Sequence, residues 1–374
     1  MSAPKARMTY GEREVDSRLT EVLAAVGTDT NDDLIRSMLV TALDMDAADV
    51  DRLELKIASQ TLAEMLDSWR VFAPYGAEAK VSIFGSARTK PEHPDYQLAS
   101  ELGRLMTERN WMTITGAGPG IMEAGIEGAG KKNSFGVNIL LPFEQDANPA
   151  IDGDEKLATF KYFFTRKLTF MKETDGYALL PGGFGTMDEA FELLTLIQTG
   201  KSYPAPVVLL DHPGSTYWSG WKSFVETELL GGGTIGPDDL DLFHHTHSAA
   251  EAADFLCDFY ICYHSIRYVG NRLIVRLRRE VPEEQLKILN DEFGDILVSG
   301  QIEAVGATKA EIRDNDHPDL PRLALRFNNH SFSRLVVFIR RINELGGDKT
   351  SAAIPGFIHD VGPDPHDFEP DSES

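Results

Sequence analysis

A glycine-rich turn between an apolar run and a helical pattern limits the folds open to this chain more than any other stretch. Residues 177–180 are short and apolar, as strands buried on both faces of a parallel sheet are. The turn that follows reads Pro-Gly-Gly-Phe-Gly-Thr over residues 181–186. Beyond it, apolar residues recur at helical spacing until Gly200, which ends the helix before Lys201. The stretch predicts a strand, a tight turn and a helix N-terminus.

This turn has two interpretations. Free backbone N–H groups and the positive end of a helix dipole suit a phosphate group. Alternatively, Thr186 and Glu189 have the Thr-x-x-Glu spacing of a capping box, which is a purely structural device. A capping box does not require Pro181 and three glycines in front of it. We therefore favour a phosphate site, whose contacts are Gly182, Gly183, Gly185 and Thr186.

Strand-like and helix-like segments alternate from Lys80 onward. The predicted strands cover residues 81–84, 111–115, 135–141, 177–180 and 207–210. Such alternation is typical of a parallel, doubly wound α/β sheet, in which ligands bind at the carboxyl ends of the strands. Each glycine-rich loop lies at such an end, including Gly85 with Ser86 and the run that contains Gly116, Gly118 and Gly120.

Composition shifts divide the chain into four predicted parts. Residues 1–76 are a helical extension, and residues 77–270 are the Rossmann-like domain. The pattern of residues 271–345 has the order strand, helix, strand, strand, helix, which predicts a small α+β module. Residues 346–374 are rich in Gly, Pro, Asp and Glu, which predicts a disordered acidic tail. Residues 238–263 predict a helical closing segment with few strands.

The charge excludes two classes of partner. The chain has 374 residues and a formal net charge of −23, so we expect no binding to nucleic acid or to an anionic membrane surface.

We see neither an apolar run of about 20 residues nor a secretory signal at the N-terminus. The two cysteines, Cys257 and Cys262, lack a metal or redox spacing and suit a reducing cytoplasm.

Three further patterns carry competing interpretations. The glycines at 116, 118 and 120 are spaced too closely for a dinucleotide fingerprint and follow the wrong strand, so we favour a turn that contacts a nucleotide, or a purely structural turn. His244, His245 and His247 invite a metal site, but without a partner carboxylate at helical spacing they favour an exposed loop. Arg166 and Lys167, taken alone, are typical of surface charges on an amphipathic helix.

The run Pro-Gly-Gly-Phe-Gly-Thr-Met-Asp-Glu at residues 181–189 resembles the PGGxGTxxE signature of the Lonely Guy (LOG) family. Members of that family are phosphoribohydrolases, which release the base from a nucleoside 5′-monophosphate, and they have also been labelled lysine decarboxylase-like. The resemblance covers roughly residues 78–270. It implies an AMP-like purine nucleotide or a cytokinin riboside monophosphate as substrate, no cofactor and a homo-oligomer.

The resemblance also implies roles for individual residues. LOG-like enzymes rely on the arginine of an Arg-Lys pair and on the last glutamate of the signature, which correspond to Arg166 and Glu189. A carboxylate beside the ribose stabilises an oxocarbenium-like transition state and activates water, so the pairing is chemically reasonable. Further expected substrate contacts are Ser86, Asn138, Glu144, Lys167 and Thr195.

Two other functions remain open at the sequence level. A nucleotide-binding or carrier protein without catalytic activity would need the glycine loop, but not both Arg166 and Glu189. A decarboxylase would need pyridoxal phosphate on a lysine, and we see no lysine in a suitable context.

Overall fold

The computed structural model describes residues 7–27, 31–141 and 147–346. The chain divides into two compact units, Met1–Met65 and Leu66–Ser374. The predicted acidic tail and Glu144 lie outside the described residues. The boundaries of the four predicted parts stay predictions.

The first unit is helical, as the sequence predicts. Its elements are α1 (Arg13–Val26), α2 (Asp32–Ala47) and the start of α3 (Arg52–Phe72). Gly27 adopts a left-handed conformation (φ 75°) and ends α1, with its N–H donating to the Leu23 carbonyl. Arg36 on α2 forms an ion pair with Asp16 on α1 at 3.0 Å, so the two helices are joined by a charged contact.

The second unit contains a seven-stranded parallel sheet with the strand order β4-β3-β2-β1-β5-β6-β7. The strands are β1 (Lys80–Phe84), β2 (Met112–Thr115), β3 (Ser134–Ile139), β4 (Leu157–Phe160), β5 (Gly176–Leu179), β6 (Val207–Leu210) and β7 (His244–Thr246). The central strands are buried along their whole length, as the apolar runs predict. The strand order reverses between β1 and β5, and that is the point where ligands bind in doubly wound sheets.

Helices flank this sheet. They are α4 (Pro94–Glu108), α5 (Ile121–Ala129), α6 (Phe163–Glu173), α7 (Phe184–Gln198), α8 (Tyr217–Phe224) and α9 (Ala249–Asp258). Helices α4 and α5 approach so closely that a Cβ on Gly128 would collide with the Ser100 backbone. The predicted doubly wound α/β class is confirmed.

The sequence interpretation missed both outer strands of the sheet. Strand β4 is four residues long and has one exposed side chain, and β7 is three residues long and entirely polar. His244 and His245 therefore lie on an edge strand, and the prediction of an exposed loop is wrong for them. His247 follows the strand and is exposed, as that prediction has it. The prediction of a closing segment with few strands misses β7 for the same reason, since short polar strands lack a periodic signal.

A second, antiparallel sheet has the order β10-β11-β9-β8. Its strands are β8 (Tyr263–Val269), β9 (Arg272–Leu277), β10 (Glu303–Val305) and β11 (Arg322–Leu325), and its helices are α10 (Glu283–Phe293), α11 (Lys309–Asp314) and α12 (Phe332–Gly346). The small α+β module is present. Its sheet also includes β8, which precedes the predicted start of the module at residue 271 and pairs with β9.

Helix α12 joins the two sheets through one continuous apolar core. The Phe332 ring lies where a side chain on Gly200 would otherwise stand. The Asn343 amide oxygen accepts from the backbone N–H groups of Cys262 and Tyr263 at 2.7 and 3.1 Å, and its nitrogen donates to the Phe259 carbonyl at 2.6 Å. The buried Asn343 thus bonds the chain where it passes from the first sheet to the second.

Candidate functional site

Three loops meet at the carboxyl end of the parallel sheet. The Ser86 N–H, after β1, donates to the carbonyl of Pro181, after β5, at 3.1 Å. The Ser86 carbonyl accepts from the N–H of Ile121, the first residue of α5, at 3.1 Å. The loops that follow β1, β2 and β5 are therefore bonded to one another at the reversal of strand order.

Two of the predicted glycines have a packing explanation. Gly120 has φ of 71°, and a Cβ there would collide with the Ser86 carbonyl. A Cβ on Gly85 would overlap the Ile121 side chain. For Gly85 and Gly120, close contact between loops accounts for the residue type without a ligand.

Gly183 and Gly185 differ, because nothing in the fold demands a glycine at either position. A Cβ would meet no atom within 4 Å at either residue, and neither has a positive φ. Gly182, in contrast, packs against Thr186, and its carbonyl accepts from the Tyr217 hydroxyl at 2.6 Å. The loop is thus fixed on its inner side and open on its outer side.

Helix α7 begins at Phe184 with Gly183 as N-cap, and none of the described side chains caps it. Thr186 is the third residue inside the helix and is buried, so it does not occupy the cap position. The capping-box interpretation of Thr186 and Glu189 is wrong, because the helix starts three residues earlier than that box requires. The uncapped N–H groups and open backbone are the features that favour an anion at this end.

Glu189 is a buried carboxyl group one turn further along α7. Its side chain is 5% exposed, and its Oε2 atom has no hydrogen-bond partner among the described residues. Burial raises the pKa of Glu189 to about 6, although the nearby charges of Arg166 and Lys167 oppose that rise. A buried carboxylate with an unused oxygen is a costly arrangement, which is typical of a functional group.

Arg166 on α6 lies beside this carboxyl group. Its Nε donates to the Val137 carbonyl at 2.9 Å, and its guanidinium stands 5.3 Å from the Phe170 ring centre. A Cβ on Gly116 would collide with the guanidinium, so that glycine leaves room for it. Burial lowers the pKa of Arg166, while the negative charges of Glu189 and Asp188 act in the opposite direction.

Lys167 joins α6 to α7. Its Nζ is 2.9 Å from Asp188 Oδ2 and also contacts Glu192. Burial lowers the pKa of Lys167, but the hydrogen bonds to Glu192 and Asp188 outweigh burial and the net pKa is raised. The geometry gives Lys167 a structural role, and its predicted contact with the substrate stays a prediction.

The remaining predicted residues are less closely grouped. Asn138 is buried on β3, next to the Val137 carbonyl that holds Arg166. A Cβ on Gly118 would overlap Met122, which packs beneath that loop. Thr195 lies six residues after Glu189, about 120° around the helix, and its hydroxyl donates to the Phe191 carbonyl. It lines an open groove of about 750 Å³ with Phe184, and the structure does not bring it to Glu189.

Sequence reasoning missed Tyr217, whose hydroxyl ties α8 to the phosphate loop. The residue lies between Thr216 and Trp218 in a stretch with no motif. No local pattern signals this contact, because it depends on how α8 packs against the loop that follows β5.

The burial of Glu189 predicts a pH-dependent stability. Its pKa is about 6 in the folded protein and ordinarily 4.5, so the native state holds this proton more tightly than the unfolded state. Stability from this group is therefore complete below about pH 4.5 and lost as pH rises through 6, by about 2 kcal/mol. We expect Glu189→Gln to gain stability relative to the parent by this amount between pH 4 and pH 8. Urea unfolding of both proteins across that range measures the difference, and a difference independent of pH would contradict the buried carboxyl group.

The fold and the site together define a Rossmann-like α/β protein with an open glycine-rich loop at the reversal of strand order. The sequence model of the family described as "Possible lysine decarboxylase" matches residues 120–256. The cytokinin riboside 5′-monophosphate phosphoribohydrolase of Mycobacterium tuberculosis is 26% identical over 174 residues, which are 44% of this chain and 89% of that protein. The LOG1 enzyme of the same name from Arabidopsis thaliana is 29% identical over 188 residues, 48% of this chain and 83% of that protein. The resemblance to the LOG family is confirmed.

Solved structures also align with part of this chain. The Moco carrier protein of Chlamydomonas reinhardtii is 19% identical and aligns over 46% of this chain and 91% of its own, with a TM-score of 0.32. The molybdenum cofactor binding protein of Rippkaea orientalis is 18% identical over 46% of this chain and 91% of its own, with a TM-score of 0.34. None of the described helices is both long and apolar enough to cross a membrane.

Proposed function

We propose that this protein hydrolyses the N-glycosidic bond of a nucleoside 5′-monophosphate, giving the free base and ribose 5-phosphate. The observation that carries the proposal is the Glu189 carboxyl group, buried one turn below an open glycine loop and beside Arg166. The names of the relatives support the same reaction.

The phosphate loop, residues 181–186, and Glu189 contact different parts of the substrate. The backbone of Gly183 and Gly185 and the start of α7 bind the 5′-phosphate, since this is the open, uncapped end of the helix. That placement puts the ribose near Glu189. The carboxylate then stabilises the positive charge that develops on the ribose as the C1′–N bond breaks.

Water completes the reaction. Its oxygen bonds to C1′, and one of its protons passes to Glu189 and from there to the departing base. A pKa of about 6 leaves Glu189 mostly ionised at pH 7 but able to carry a proton, as a general base requires. Arg166 holds phosphate or ribose oxygens by charge-assisted hydrogen bonds.

The same proposal includes a purine monophosphate such as AMP as substrate and a homo-oligomer as the working form. Exposed aromatic side chains on α6 and α7 support assembly, because such residues are rarely left against water in a monomer. They are Phe163 (50% exposed), Phe164 (53%) and Phe184 (96%).

A product assay tests the function. The protein is incubated with AMP, GMP, CMP, UMP and a cytokinin riboside monophosphate, and free base is measured by chromatography. We expect base release from at least one purine monophosphate. Tight binding of a monophosphate without any base release would favour the nucleotide-binding alternative and contradict the proposal.

A further inference from the structure

The three histidines on and just after edge strand β7, which ends at Thr246, face two sides. His244 Nε2 lies 2.9 Å from Glu251 Oε1, and the Thr246 hydroxyl donates to the other oxygen of Glu251. His245 and His247 turn the opposite way, toward Asp211. His245 on the strand and His247 just beyond it therefore reach the same carboxylate.

Asp211 supplies the carboxylate that the sequence did not reveal. It follows β6 directly and has no exposed surface. Its Oδ1 lies 2.9 Å from His245 Nε2 and 2.8 Å from His247 Nδ1. Its Oδ2 accepts from the Trp218 N–H at 3.4 Å, which orients the carboxylate. Three potential ligand atoms converge, and the Asp211 carbonyl oxygen also lies 3.0 Å from His247 Nδ1.

A neighbouring cluster among the described residues does not offer the same geometry. His93 Nδ1 accepts from the Asp95 N–H at 3.2 Å and so caps α4. Asp95 Oδ1 already accepts from the His212 N–H at 2.9 Å. The lone pair of His93 Nδ1 is occupied by the Asp95 N–H, so this nitrogen is not available to an ion while it caps α4.

We propose that Asp211, His245 and His247 form a binding site for a divalent transition-metal ion, of which Zn²⁺ is the expected occupant. Two imidazole nitrogens and one carboxylate oxygen are a ligand set that Zn²⁺ accepts, with water in the fourth position. Mg²⁺ and Ca²⁺ prefer all-oxygen sites and do not fit this set. Each neutral imidazole binds the ion by carrying its proton on the other ring nitrogen.

The site shares no residue with the Glu189 site but is connected to the phosphate loop. Asp211 orients the start of α8 through Trp218, and the adjacent Tyr217 holds the Gly182 carbonyl. A bound ion would fix β6, β7 and the start of α8 relative to one another. The proposal does not rest on the phosphoribohydrolase function, and its test requires no turnover.

Zinc binding by the full chain, with any affinity tag removed, tests the site. Equilibrium dialysis with metal analysis gives the stoichiometry, and titration with Co²⁺ gives an absorption spectrum that reports coordination by nitrogen and oxygen. We expect one high-affinity ion per chain and a melting temperature that rises with added Zn²⁺. The His245→Gln and His247→Gln variants should each bind at least about 100-fold more weakly, since even changes to groups behind the ligands cost 10–100-fold.

His244→Gln is the matched control, because His244 stands on the same strand, faces the other side and is partly exposed. It should bind Zn²⁺ as the parent does. His247 is also substantially exposed, so its variant is expected to fold even if His245→Gln does not. A parent that binds no Zn²⁺, or binding that survives His247→Gln unchanged, would overturn the site.

Discussion

Glu189→Gln should lower turnover by about 10²–10⁴-fold, the usual contribution of a positioned acid–base group. Gln keeps the size of the side chain and removes only the charge and the proton that it exchanges. Because the structure leaves Glu189 Oε2 without a partner among the described residues, the substitution breaks no hydrogen bond of that atom in the free protein. Binding of AMP, measured by calorimetry, should remain close to that of the parent.

Glu192→Gln is the control for this result. Glu192 stands on the same helix, three residues later, and its partly exposed carboxylate pairs with the largely buried Lys167. Loss of its charge should leave turnover within a few fold of the parent, since Lys167 keeps Asp188 as a second carboxylate partner. Near-parental turnover in Glu189→Gln would contradict the proposed role of Glu189, but it would not contradict the fold or the phosphate loop.

A 5′-phosphate should be required, so that kcat/KM for AMP exceeds that for adenosine by at least about 10²-fold. Two hydrogen bonds from the loop to a charged phosphate, at about 1.5 kcal/mol each, already account for this factor. Remote binding of the phosphate lowers the barrier at the glycosidic bond only if both groups are held in one geometry. Steady-state kinetics with both substrates measure the ratio. Similar kcat/KM values for AMP and adenosine would show that binding of the phosphate does not contribute to catalysis.

Gly185→Ala sharpens this test, because stability and activity should move in opposite directions. The position is helical and a Cβ there meets nothing within 4 Å, so alanine should stabilise α7, by up to about 1 kcal/mol. The added methyl group would stand on the open side of the loop, where we place the phosphate. We expect kcat/KM for AMP to fall at least tenfold while the slow reaction of adenosine hardly changes.

Gly220→Ala on α8 is the matched variant, since Gly220 is also helical and also has open space around its Cβ position. It should be equally well tolerated by the fold and should not affect either substrate. Equal activity loss in the two glycine variants would mean that the effect is not specific to the phosphate loop.

The parts of the fold that the sequence predicted are those whose burial is uniform. Strands β1, β5 and β6 are covered on both faces, so their residues are continuously apolar and easily identified. Strand β7 is an edge strand that contains two histidines, and only its pairing with β6 makes it a strand. Pairing across the chain leaves no local signal, so no reading of residues 244–246 alone reveals it.

The candidate site divides in the same way. The motif predicted Glu189 and the loop, but it also allowed a capping box, and only the start of α7 at Phe184 excludes that alternative. The space that Gly116 leaves for Arg166 depends on a loop and a helix some 50 residues apart in the sequence. Asp211 and Tyr217 are likewise brought to their partners by the packing of β6 and α8, which no motif records.

Helix α12 has a consequence for where the chain can be cut. Its Phe332 fills the space above Gly200, and its Asn343 satisfies backbone groups in the passage between the two sheets. A segment attached only by a linker can be removed without harm to its neighbour. Here, loss of the segment would leave an apolar face of the sheet domain and three backbone polar groups uncovered. A truncation before α12 should therefore destabilise the sheet domain itself, not merely remove an appendage.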